Sequence, residues 1–177
     1  MNIFYLDSNP KHAAQDHCDA HCSKMMIEYA QLMSTAHRFV ESPFADQCYK
    51  TAHLNHPSTI WTRSSTDHYS WLFELWKELS NEFYARRGKH HASWTKLKDV
   101  LCYNPHLPLN GFTEPPQCMP DYCKVDGDSV AAYRKYYINE KRKFASWTWP
   151  NTSPPSWWLS AIGEESLEES LAAGGEG

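Results

Sequence analysis

The chain has 177 residues, a formal net charge of −4, 14% aromatic residues, eight Trp, ten His and six Cys. That length suits one domain with a substantial core, and no apolar run approaches the ~18 residues of a membrane-spanning helix. Seven Gly and eleven Pro exclude collagen-like and flexible-linker compositions.

The acidic balance argues against a nucleic-acid partner only until the charge is located. From Leu159 to Gly177 there are five acids (Glu164, Glu165, Glu168, Glu169 and Glu176) and no Lys or Arg. The first 158 residues then hold 17 basic against 16 acidic side chains, so the body is near neutral. The chain therefore divides into a helical domain over 1–158 and an acidic, disordered extension over 159–177, with a loose helical turn or two at most. Met1 to Asp7, interrupted by Asp7 and Pro10, is too short for a secretory signal, so a cytoplasmic location is expected. The six cysteines are correspondingly expected to be reduced thiols.

In chain order, residues 2–7 read as extended or irregular and Asn9-Pro10 as a punctuation. A long helix is predicted from about Asp16 to Glu41, with Cys22, Met25, Met26, Tyr29, Leu32, Met33 and Ala36 at helical spacing. Ser42-Pro43 ends it. His56-Pro57 opens a short helix. A second long helix starts near Ser64 or Ser65 and ends at Arg86-Arg87-Gly88, which supply cations and a terminal glycine. A short helix follows over about 92–102, then a five-proline loop over 104–120. A last long helix runs from about Asp128 to Trp147. No hairpin signal is present. The fold class is all-α: one compact domain of three long helices with short helices and a Pro-rich loop.

The first long helix carries a second stripe beside its core face. His17, His21, Lys24, Glu28, Gln31 and Thr35 fall within one narrow sector at ~100° per residue. Between Ser23 and His37, Lys24 and Glu28 are the only formal charges. Such a helix is expected to be central and covered on most sides. Two readings of the stripe stand: an i,i+4 Lys–Glu pair contributing a few tenths of a kcal/mol, or a carboxylate with Lys and His doing acid/base work. His17 and His21 also have the spacing of two imidazoles on one metal, and Cys18, Cys22, Cys118 and Cys123 could join them. The absence of a CxxC pair and of HExxH favours core thiols and hydrogen-bonded histidines, and no metal is assigned. The last helix concentrates Arg134, Lys135, Lys141, Arg142 and Lys143 among Tyr133, Tyr136, Tyr137 and Phe144. That mixture suits phosphate contact with base stacking, or equally a solvated face over an aromatic core. Arg86, Arg87, Lys89, His90 and His91 form a further basic cluster.

Asp19-Ala20-His21 with Glu28 seven positions after the histidine resembles the surroundings of the catalytic glutamate in the pyrimidine-dimer DNA glycosylases of the phage endonuclease V type. Tyr49-Lys50, Asn55-His56-Pro57 and Arg63 resemble a Gly-Tyr/Asn-His-Pro/Arg stretch of bacterial members. Trp71-Leu72 through Glu82 to Arg87-Gly88-Lys89 resembles the helix ending in their Arg-Gly turn. Tyr133, Glu140 and the stretch Trp147 to Trp158 are similar in order to their last helix and aromatic C-terminal segment. The resemblance spans about residues 2–158; Ile27 stands where that family has an arginine before the glutamate. The opening Met-Asn-Ile-Phe-Tyr-Leu-Asp also resembles that of other phage-encoded proteins, which implies a host cytoplasm.

The resemblance implies an all-α DNA glycosylase/AP lyase acting on a damaged or modified pyrimidine in double-stranded DNA. Its nucleophile would be the N-terminal α-amine, on Asn2 or on Met1 where that is retained. An α-amine, with an ordinary pKa near ~8, is far more often neutral at pH 7 than a lysine. Glu28 would move protons and stabilise cationic intermediates, with His21 and Lys24 orienting charge. His56 and Arg63 would line the cleft, and Arg134, Lys135, Arg142 and Lys143 would hold phosphates around a flipped base. No cofactor is implied, and a monomer is expected. Two other classes stay open: a nucleotide- or nucleoside-processing enzyme, metal-assisted or not, and a non-catalytic DNA- or protein-binding phage protein.

Overall fold

The computed structural model describes residues 1–174 and, among them, contains helices and no strand. Seven α-helices follow one another: α1 (Pro10–Asp16), α2 (Asp19–Phe39), α3 (Pro57–Ser64), α4 (Thr66–Arg87), α5 (Ala92–Leu101), α6 (Ser129–Tyr136) and α7 (Ser156–Gly174). Single 3-10 turns lie at Ala45–Gln47 and Asp121–Cys123, and a π-helical turn, Tyr137–Lys141, extends α6. The expected all-α domain is observed, with the loop over 104–120 free of regular structure.

Local chemistry explains most helix ends. Asn9 caps α1 by accepting from the amides of Lys11 and His12, and Pro10 fills the first helical position. Ser65 accepts from Asp67 N–H at the start of α4, and Gly88, at φ 67°, closes it in the left-handed conformation. Helix α2 ends in a Schellman arrangement in which Ser42 N–H donates to His37 C=O and Glu41 N–H to Arg38 C=O. Glu41 takes the left-handed position at φ 52° that glycine usually fills.

Two expected helices are shorter than the periodicity suggests, and one cause serves both. The first is interrupted at His17 and Cys18, where the backbone is extended. The fully buried Arg86 reaches across from α4 and donates to the carbonyls of Gln15 (3.0 Å) and His17 (2.8 Å), to Asp19 Oδ1 (3.2 Å) and to Glu82 (3.1 Å). It thereby takes over carbonyls that a broken helix leaves unpaired. Asp19 in turn accepts through Oδ2 from the amides of Thr148 (2.7 Å) and Trp149 (3.0 Å), while its own N–H donates to Ser146 C=O. Residues 146–149 are thus held out of the last helix, whose regular part stops at Lys141 rather than Trp147. Arg86 belongs to the interior and not to the exposed cluster in which its sequence neighbours place it.

Helix α2 is central, packed against α3, α4 and α5. Trp76 of α4, fully buried, donates from Nε1 to the Met26 carbonyl. The segment Ile3–Leu6 threads through the core as extended chain. The first turns of α7 are anchored by Trp158 against Trp147 and by Trp157 Nε1–H donating to Asp16. Beyond them α7 projects with Leu159, Leu167 and Leu171 exposed, so residues 159–174 continue a helix where an irregular extension was expected. Glu176 and its neighbours from 175 on lie outside the described residues.

Three histidines are built into this core as neutral rings. His17 donates from Nδ1 to Ala13 C=O (2.6 Å) and accepts at Nε2 from the Tyr29 hydroxyl (2.7 Å). His21 contacts the Tyr137 hydroxyl through Nδ1 (2.5 Å). His37 bridges Ser42 (2.7 Å) and Tyr69 (2.9 Å), whose own hydroxyl donates to Leu101 C=O. Burial pushes their pKa values down, to about 4 for His17 and His37 and about 2 for His21.

Removing the guanidinium by Arg86→Met leaves a buried carboxylate and several carbonyls without partners and should cost about 3–5 kcal/mol, against about 0.5 kcal/mol or less for Lys89→Met at the exposed end of the same helix. Urea unfolding midpoints of the two variants check this. Because unfolding restores the ordinary histidine pKa near ~6.5, the unfolded chain binds more protons below that pH. The stability conferred by the neutral histidines is complete above pH ~6.5 and drains away as pH falls towards the folded values. With three groups titrating, the slope should approach about 4 kcal/mol per pH unit between pH ~6 and ~4. Urea titrations at pH 7, 6 and 5 measure it, and a flat profile would overturn the assignment.

Candidate functional site

The amino terminus is delivered to the middle of α2. Phe4 N–H donates to the Tyr29 hydroxyl (3.1 Å), the same hydroxyl that donates to His17. Tyr29 directly follows Glu28. Three extended residues span at most about 11 Å, so the terminal nitrogen stays within that reach of the clamped Phe4 amide. Met1 and Asn2 are half-buried, with Met1 packed on the core. The terminal amine also lies close to His56. Burial lowers the pKa of that imidazole, and the charges of the amine and of His53 lower it further.

His56 has a structural task as well. It is the N-cap of α3, its Nδ1 accepting from Ser58 N–H (3.1 Å). The ring must be neutral with its proton on Nε2 to do so. Arg63, in the last turn of α3, stacks on Phe39 (4.3 Å) and donates to the Leu54 carbonyl (2.7 Å), which braces the turn at His53–Asn55. His53 sits there at φ 47°.

Glu28 is 19% exposed and pairs with Lys24 across 3.4 Å, the i,i+4 contact expected from the sequence. Lys24 itself is 65% exposed, so the pair gives only a few tenths of a kcal/mol and leaves both groups available. His21 is the floor of this region and does not face Glu28. Its ring stacks on Phe4 (4.2 Å) and meets Tyr137 and Phe144 edge-on. The charges of Lys24 and Lys141 both add to the lowering of its pKa. Lys141 lies over Tyr136 (4.5 Å) and beside Phe144 (5.9 Å), which is 46% exposed. Lys141, Tyr136 and Phe144 therefore cluster beside His21 at the π turn.

The other basic residues of α6 and its extension divide differently. Arg134 donates to the Leu6 carbonyl (2.8 Å), pairs with Asp7 and stacks on Trp157 (5.5 Å), so it ties down the amino-terminal segment. Arg142 pairs with Glu165 of α7. Lys135 and Lys143 are exposed. Lys141, which the resemblance does not single out, is the one set directly beside the Glu28 stripe. Its position follows from the π turn, a register change that no sequence period announces.

The residues weighed as metal ligands are otherwise engaged. His17 and His21 hold the core tyrosines, and all six cysteines are free thiols, with burial raising the pKa of Cys22 to about 12. Among the described residues, no group of three or more His, Cys, Asp or Glu is arranged to hold a metal ion. No family model matches the chain, and no curated protein or solved structure is found to match it.

Proposed function

We propose that the chain is a DNA glycosylase/AP lyase-like enzyme acting on a damaged or modified pyrimidine in duplex DNA. The observation that supports this reading is the hydrogen bond from Phe4 N–H to the hydroxyl of Tyr29, the residue after Glu28, which holds the terminal amine within about 11 Å of the clamped Phe4 amide. In this mechanism the neutral amine forms a bond to the sugar C1′ as the C1′–base bond breaks, its electron pair leaving with the base. The adduct opens to a protonated Schiff base. Removal of a C2′ proton then expels the 3′-phosphate oxygen and nicks the strand. Glu28 is the group placed to pass these protons and to offset the iminium charge. Lys24 and Lys141 would contact the flanking phosphates, and Tyr136 and Phe144 offer faces on which an unstacked base can rest.

A near-neutral body predicts binding that is weak and strongly salt-dependent. Incubation with a duplex holding one abasic site and borohydride should give a covalent protein–DNA adduct. Blocking the α-amine by acetylation should abolish the adduct, and Glu28→Gln should slow strand nicking at least about 100-fold. No adduct from protein whose amino terminus is confirmed free would overturn the mechanism.

A further inference from the structure

Next to the Glu28 stripe a groove of about 540 Å³ runs between α2, the segment 49–52 and the start of α5. We infer that this groove is a nucleoside monophosphate subsite, taking the base against Ile27 and Gln31 and the phosphate at Lys50 and Lys96. The inference rests on the reading of Glu28 as part of a DNA-processing site only for which strand it serves; the chemistry of the groove stands by itself.

Its lining is apolar at the base and cationic at the rim. Ile27, 43% exposed, offers aliphatic surface, and Tyr49 forms one wall. The Tyr49 ring is fixed, its hydroxyl donating to Ser93 Oγ (3.0 Å), and the Lys96 ammonium lies 5.0 Å from the ring centroid. Lys50 is on the lip, and no carboxylate lines the groove. A groove of this size with an apolar floor and lysines at its rim suits an anion-bearing ligand over a cationic one.

The polar groups around it have hydrogen-bonding capacity in hand. The Gln31 amide and the Thr51 hydroxyl have no hydrogen-bond partner among the described residues, and the same holds for the Lys50 ammonium. His91 caps α5 by accepting at Nδ1 from Ser93 N–H (3.1 Å), which leaves the Nε2 proton free to donate. A primary amide beside an aliphatic face is the combination that reads a base edge, since it donates and accepts in one plane. Gln31 is about one helical turn from Glu28 on the same stripe, which sets the groove beside that stripe.

Isothermal titration calorimetry with thymidine 5′-monophosphate, 2′-deoxyadenosine 5′-monophosphate, thymidine and a single-stranded pentanucleotide tests the assignment on the full chain. Binding of at least one monophosphate, weaker for thymidine and weakened tenfold or more by Lys50→Ala and by Gln31→Ala, is expected. Lys11→Ala, on exposed α1, should leave it unchanged. Binding of the pentanucleotide alone, lost in the same two variants, would assign the subsite to a nucleotide within a strand. Absence of binding by all four probes at millimolar concentration, or binding indifferent to both substitutions, would overturn it. Because the readout is binding, a chain that binds nucleotide yet forms no borohydride adduct would retain this subsite and lose the lyase mechanism.

Discussion

The pairing of Arg86 with Asp19 is the contact on which the remaining architecture depends. A guanidinium buried this completely is costly unless every donor is matched, and here it is met by two carboxylates and two backbone carbonyls. Those carbonyls are available because the chain breaks between α1 and α2. The second oxygen of Asp19 is occupied by the amides of Thr148 and Trp149, so one carboxylate joins the beginning, middle and end of the chain. The aromatic segment Trp147–Trp158 is positioned by the same joint, and with it the anchor of α7.

From that joint outward, the core organises the candidate site through hydroxyls and neutral imidazoles. Tyr29 accepts from the amino-terminal segment and donates to His17, so one phenol locates the start of the chain and fixes a histidine tautomer. Tyr137 and Phe4 enclose His21, which is why the surface above it carries two lysines without a third positive charge beneath. The result is a part-buried carboxylate paired with Lys24 on a helix whose neighbouring positions, Ile27 and Gln31, line an open groove. The basic side chains near His21 and Tyr49 are thus set apart from the acids of the C-terminal stretch, which supply the sign of the total charge of −4.

Much of the helical scaffold was legible in the residues. Period 3.6 marked α2 and α4, and capping chemistry at Ser65, Gly88 and His56-Pro57 located their boundaries within a few residues. The placement of α2 at the centre followed from its shortage of charge. The interruption at His17 and the early end of the last helix were not legible, because both are imposed by Arg86 and Asp19 across 67 residues of sequence. The Lys24–Glu28 pair could be read from spacing alone, whereas Lys141 reaches the same region only through the π turn. The groove was beyond sequence reasoning altogether: its walls come from residues 27–31, 49–52 and 91–93, brought together by packing of α2 on α5.

Two helices that border the site, α3 and α5, each begin with a histidine as the capping acceptor, His56 onto Ser58 and His91 onto Ser93. Most helices use Ser, Thr, Asp or Asn there, whose oxygens accept at any physiological pH. An imidazole accepts only while it is neutral, and a protonated ring would set a positive charge against the positive end of the helix. Burial lowers both pKa values and so protects the caps near neutrality. On acidification, protonation of either ring removes the cap from the first turn of its helix. Two helix caps thus share the acid sensitivity of the buried core histidines, and they stand at the starts of α3 and α5.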